Sequence, residues 1–250
     1  MALDWSVSFY VVTILAVALL GLSKGGFVGV GAISLPLMAL VAPPIAAAAI
    51  LLPILIVQDL VSVWAFRRHR DDHLLRMLLP GSVVGIFLGY LLAATVSTQV
   101  VLGCVGVLSV IFGAYRLWLD AGGRLATTRD LPEWVGSLFG LASGFTSQIA
   151  HAGGPPYQMW VMPRRLPRDT FVGTTAIFFA ITNWVKMPAY LALGQFTATN
   201  LLTTLVLMPV AILSTFAGVA LVRRVSAERF YVTIYILMIL VGGKLIWDAL

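Results

Sequence analysis

Residues 21 to 31 of the 250-residue chain read GLSKGGFVGVG, and residues 145 to 156 read FTSQIAHAGGPP. Both set glycines between apolar runs, and the first adds a lysine. Glycine gives a helix the freedom to unwind, and the half-helix that restarts presents free N–H groups with a partial positive charge, a setting suited to an anion. Lys24 would add a full charge beside Gly25 and Gly26; Gly153 and Gly154 occupy the second break, with Gln148 and His151 just before them. The competing reading is that the glycines serve close helix packing and that Lys24 snorkels to an interface. His151 combines a near-neutral unperturbed pKa with this position, which suits a proton-linked step; a satisfied structural histidine is the plainer alternative.

Further polar residues stand in apolar surroundings. Asp59, next to Gln58, is the one acid well inside an apolar run. An uncompensated carboxylate there costs about 2.5–3.5 kcal/mol on insertion scales, so it must be paired or protonated. Asn183 lies 124 positions after Asp59 and shortly before Lys186. Lys186 and Lys244 both lie close enough to a span end to snorkel. Thr174 and Thr175 fit either of two roles, back-bonding to their own helix or contacting an anion.

These residues need a bilayer around them, and composition supplies it. Hydrophobic residues make up 60% of the chain and charged residues 10%, and the mean hydropathy is +0.99. Soluble domains carry roughly a quarter charged residues. The fold class expected is an all-α integral membrane protein, one polytopic domain over residues 1–250. The lone Cys104 excludes an intrachain disulfide. The start, MALDW, has an acid and no basic residue, which argues against a cleaved signal peptide.

All thirteen arginines fall in four short segments, at 67–76, 116–129, 164–168 and 223–229. The connections around Pro43 and Pro44, Val96 to Thr98, and Gly194 to Thr199 carry no charge. The positive-inside rule places the arginine segments in the cytoplasm and the bare connections outside, so the net charge of +6 needs no nucleic acid to explain it. Six plain spans follow, at about 45–66, 77–95, 99–118, 171–192, 200–222 and 230–249. Residues 131–163 begin and end on the cytoplasmic side, so they form a hairpin. Its arms of about 14 and 9 residues reach roughly 21 and 13 Å, short of the roughly 30 Å hydrocarbon core, and a re-entrant pair is expected. Residues 5–42 form the other hairpin, with longer arms that fit either a re-entrant pair or two nearly complete helices.

The halves match each other. Leu79-Pro80 with Met208-Pro209, Gly89 with Gly218, Val96-Ser97 with Val225-Ser226, Gly113 with Gly242, and Trp118 with Trp247 share an offset of 129, and Gly26-Phe27 with Gly144-Phe145 an offset of 118. The reading is an internal duplication: repeat 1 over about 5–118, a cytoplasmic linker over about 119–130, and repeat 2 over about 131–250. One hairpin and three crossings per copy make the copies antiparallel, a recurring design of secondary transporters.

GLSKGGFVGVGAISLPLM, with GFTSQIAHAGGPP, FVGTTAIFFAITNWVK and GQF in the second half, resembles the sulfite exporter TauE/SafE family over about residues 10–245. The resemblance implies a multi-pass inner-membrane transporter of small sulfur-containing anions such as sulfite, sulfoacetate or other sulfonates. It also implies that Lys186 belongs to the site, whereas Gln148 and His151 depart from the small residues common in the family's second break. The substrate-binding expectation is Lys24, Gly25, Gly26, Gln148, His151, Gly153, Gly154, Thr174, Thr175, Asn183 and Lys186, with Asp59 and His151 for coupling to protons. A passive anion channel and a proton-coupled importer of organic anions are the alternatives. An intramembrane enzyme would need a nucleophile with its base, or a metal cluster, and the spacing of serines, histidines and acids suggests neither. There is no GxxxxGK[ST] loop, and the reading calls for no cofactor, metal or nucleic-acid partner.

Overall fold

The computed structural model of the chain describes residues 6–250 apart from 28, 94, 96, 124–130 and 222–227. The described residues contain ten α-helices and no strand. The first half comprises α1 (Val7–Lys24), a 3₁₀ turn (Val30–Ile33), α2 (Ser34–Ala39), α3 (Pro44–Phe66), α4 (Asp72–Ala93) and α5 (Thr98–Asp120). The second comprises α6 (Glu133–Ala150), α7 (Gly154–Val161), a 3₁₀ turn (Met162–Arg164), α8 (Arg168–Ala192), α9 (Ala198–Leu221) and α10 (Glu228–Ala249). Helix suits apolar runs of this length, because inside hydrocarbon every backbone polar group must be satisfied internally and a helix does so within one segment. Proline N-caps at Pro43, Pro132 and Pro167 start α3, α6 and α8, where no intrahelical N–H is needed. Ser6 and Ser97 cap α1 and α5 by accepting from the backbone N–H of Phe9 and Val100.

Five helices, α1, α3, α4, α5 and α9, are long and apolar enough to cross a membrane, and α8 and α10 have the length with 25 and 22 residues. The protein is therefore an all-α, multi-pass membrane protein. Outward-facing leucines such as Leu205 and Leu213, about two-thirds exposed, are what a lipid-facing surface requires.

Both hairpins have one long and one short arm. α1 and α6 are each 18 residues. The returning arms are short: Val30–Ala39, part 3₁₀ and part α, in the first half and the eight-residue α7 in the second. Two nearly complete helices are thus not what residues 5–42 form. Pro36 and the close-set glycines of 25–31 keep the return arm short. α6 also runs longer than the apolar arm suggests, because Glu133 and Trp134 join its first turn.

The main pairings are α4 with α6, α5 with α10, α1 with α9, and α3 with α8, joined by α3 with α9 and α4 with α8. Mapping α1–α5 onto α6–α10 turns this set into itself. Individual contacts exchange as well. A Cβ on Gly113 would meet Tyr235 O at 2.8 Å, and one on Gly242 would meet Gly106 O at 2.7 Å; an offset of 129 converts one pair into the other. The Gln58 amide donates to Ala211 O at 3.4 Å, and the corresponding pair, Ser82 with Thr182, are 3.2 Å apart. The Gly26-Phe27 and Gly144-Phe145 match does not survive: the first lies beyond α1, the second inside α6, and the hairpins align instead at the ends of α1 and α6.

Candidate anion site at the helix breaks

The ends of α1 and α6 and the starts of the two short arms converge on α3 and α8. α1 stops at Lys24, with Gly26 at φ 132° turning the chain where a side chain would be strained. α6 stops at Ala150, and its cap His151, at φ 49°, occupies the left-handed position that glycine usually fills after a helix. The His151 and Ala152 N–H groups close the turn on Ser147 O and Thr146 O. Side chains satisfy further carbonyls of the broken backbone. Ser143 donates to Gly153 O (2.7 Å), and Thr146 lies 2.9 Å from Ala152 O. Ser62 donates to Lys24 O (2.7 Å). These serines and threonines supply what a membrane-buried break demands.

Asp59 sits at the centre, 1% exposed. Its Oδ1 accepts from Lys24 Nζ at 2.6 Å, and its Oδ2 from Asn183 Nδ2 at 2.6 Å. Asp59 and Asn183 each lie fifteen residues after the first residue of their helix (44 to 59, 168 to 183). Corresponding residues that touch each other must lie on the axis relating the two copies. Lys24 Nζ also stands 5.0 Å from the Phe179 ring centre, within cation–π range.

Lys186 is fully buried. Its Nζ donates to Ser147 O and Ser147 Oγ, both at 3.2 Å, and faces His151 Nδ1 at 2.8 Å. His151 Nε2 lies 2.9 Å from Ala48 O, which can only accept, so Nε2 carries the hydrogen and Nδ1 receives the lysine proton. Among the described residues no carboxylate touches Lys186: Lys24 is paired directly with Asp59, whereas the direct partners of Lys186 are Ser147 and His151.

A cavity of about 90 Å³ opens against these groups, lined by Lys24, Asn183, Lys186, His151, Thr175 and Gly154 among the expected residues. Ser23, Ser147, Phe179 and Gln158 complete its functional wall. A second, mainly apolar cavity of about 50 Å³ lies alongside, lined by Ala48, Cys104, Gln148 and Tyr190 among others. His151 divides them, bonded to Ala48 and stacked on Tyr190 with ring centres 6.1 Å apart.

The other expected residues lie elsewhere. A Cβ on Gly25 would meet the Gly218 backbone at 2.5 Å, so Gly25 seats α1 on α9. A Cβ on Gly153 would meet Ser143 O at 2.7 Å, while Gly154 has nothing closer than Gln158 Nε2 at 3.6 Å. Gln148 packs on Gly89 and faces the second cavity. Thr174 accepts from the Asp71 N–H at 2.9 Å, tying α8 to the α3–α4 loop. Lys244 pairs with Asp248 on an exposed face. Gln158, Ser147 and Phe179 escaped sequence reasoning because amides, hydroxyls and rings are common in helices, and only the fold brings them to the breaks.

The breaks thus bring Lys24, Asn183, Lys186 and His151 to the wall of one small cavity. Residues 13–245 match the profile described as "Sulfite exporter TauE/SafE". The chain belongs to the TauE/SafE family. Membership accounts for nearly its whole length and identifies a membrane protein of a sulfur-anion transporter family. No curated protein and no solved structure matches the chain significantly.

Proposed function

We propose that this TauE/SafE protein is a secondary transporter of small sulfur oxyanions, sulfite foremost, working as an exporter in a bacterial inner membrane. The single observation that carries the reading is Lys186, a fully buried lysine without a contacting carboxylate on the wall of the 90 Å³ cavity. An incoming anion supplies the missing charge. The space suits an inorganic ion of sulfite size better than a longer organosulfonate. The site is made of side chains from both copies, so Lys24, Asn183, Lys186 and His151 would act on one bound ion.

By the positive-inside reading the first cavity would face the cytoplasm, since Val172 and Thr175 lie near the start of α8 and Phe112 near the end of α5. The second cavity then belongs to the charge-free side, being lined by Ile45, Leu92, Val100 and Leu193. The His151 partition between them would be the barrier that moves when access alternates, as inverted repeats allow. An inside-negative potential favours anion export by roughly 2.3 kcal/mol per charge at 100 mV, so export needs no proton. Import would work against that same energy and would call on Asp59 or His151 to carry one.

Purified protein in liposomes tests the proposal by sulfite flux and binding. Lys186→Met is expected to remove a charged hydrogen-bonding partner worth about 1.5–3 kcal/mol, roughly a 10- to 150-fold loss of affinity. Sulfite bound equally well by wild type and Lys186→Met would refute the site. Gradient-independent conduction would favour a channel over a carrier.

A further inference from the structure

Arg116, toward the cytoplasmic end of α5, points inward rather than to solvent. Its Nη1 donates to Gln158 Oε1 at 3.0 Å and lies 3.4 Å from Met162 Sδ, and its guanidinium carbon stands 5.1 Å from the Tyr235 ring centre. Gln158, on α7, is 2% exposed and lines the same cavity as Lys24 and Lys186. Guanidinium has only donors, so the oxygen of the Gln158 amide must face Arg116 and the NH₂ must face away. Away is toward the two breaks. Gln158 Nε2 is the atom that a Cβ on Gly154 would approach at 3.6 Å, and it is 3.7 Å from a Cβ on Gly29. Gln158 therefore stands beside both breaks, and Gly29, at φ 105°, needs to be glycine on conformational grounds. Among the described residues no protein atom accepts from Nε2. Gln158 lines the cavity, so its NH₂ is open to whatever occupies that space, and a directed donor on a cavity wall is where an oxygen of a ligand would sit.

We infer that Gln158 donates to an oxygen of the bound anion and that Arg116 acts through it as a positioning residue, so that the pair sets a preference for oxyanions over spherical halides. The inference rests on the transport reading above and adds to it the chemistry of selection. An ammonium such as Lys186 attracts any anion in reach. A planar NH₂ held in one orientation offers two directed hydrogens, which suit an ion with several oxygens on one centre. The Arg116 charge also polarises the amide, strengthening its donors.

Sulfite and bromide binding to the purified full-length protein, measured separately for each variant, tests the inference. Gln158→Glu keeps shape and improves the contact with Arg116, so folding is preserved while the donors vanish. It is expected to weaken sulfite at least tenfold more than bromide. Gln158→Met, also close in volume, should lower the sulfite-to-bromide preference about tenfold. Arg116→Met should lower it less, and Arg116→Met with Gln158→Met should match Gln158→Met alone, because a residue acting through another adds nothing once that other is gone. A preference unchanged in both Gln158 variants, or losses that add in the double variant, would overturn the inference. Lys186→Met serves as the separate arm: sulfite affinity that survives it defeats the site itself, whereas loss there with unaltered Gln158 variants defeats only the selection role.

Discussion

Replacing Lys24 by methionine removes an ammonium and little volume, and the structure says what remains. Asp59, 1% exposed, keeps Asn183 as a donor to Oδ2 but loses the 2.6 Å partner on Oδ1. Both of its oxygens accept, as an ionised carboxylate requires. Breaking one side of a buried pair costs about 3–5 kcal/mol, and the 14% exposure of the Lys24 side chain argues for the lower end. At roughly 2–4 °C per kcal/mol for a chain of this size, Lys24→Met should melt about 6–12 °C below wild type. Asp59→Asn should cost less, because Lys24 retains the Phe179 ring at 5.0 Å and the open cavity. The double variant, Lys24→Met with Asp59→Asn, has no orphaned charge and should recover most of the loss. Thermal melts of the three purified variants in one detergent measure the coupling. If Lys24→Met melts within about 2 °C of wild type, or if the single losses simply add, Asp59 is not a carboxylate held by Lys24 and the account of the site's charge is wrong.

Three further outcomes are expected. Gly144→Leu should prevent folded protein from accumulating, since even a Cβ there would stand 2.0 Å from Ser82 O, whereas Gly154→Ala, with 3.6 Å to its nearest neighbour, should fold; size-exclusion profiles compare them. Single cysteines at Asp72 and Thr197 should label from opposite sides of the membrane, and labelling from one side would reverse the topology. In liposomes, proton-driven uptake, if present, should lose its dependence on a pH gradient in Asp59→Asn or His151→Ala, while export driven by potential persists in Asp59→Asn. Proton-driven uptake unchanged in both variants would mean that neither residue carries the proton.

Periodic and compositional signals carried the architecture well. The break at SKGG, the break at HAGG and a long helix at each of the six expected spans follow from apolar length and glycine placement, which are local properties. The correspondence of Asp59 with Asn183 was also legible, as an offset of 124, but not that the two residues touch. Contact depends on where the helices cross, which no spacing states. For the same reason Gly25 and Gly153 looked like Gly26 and Gly154 until neighbouring backbones showed which glycines hold helices together. Arg116 was hidden by its company. Twelve other arginines share its four arginine-bearing segments, and nothing in the order of residues distinguishes the one whose guanidinium turns back to Gln158.

The two copies solve one junction in two ways. In the first, α1 ends at Lys24, and Ser62 on α3 donates to the Lys24 carbonyl. In the second, α6 ends at Ala150, and Lys186 on α8, 124 positions after Ser62, donates to Ser147. One junction therefore has its cation on the broken helix and the other on the helix that crosses it. Asp59 and Asn183 repeat the asymmetry on the axis itself, an acid facing its own amide counterpart. A strictly symmetric site would place either two acids or two amides in contact there: two acids would repel, and two amides would leave Lys24 unbalanced. Divergence on the axis gives one neutralised lysine and one lysine still short of a counterion. On the anion-site proposal, that leaves room for a single net negative charge, and two related halves would then form one site rather than two.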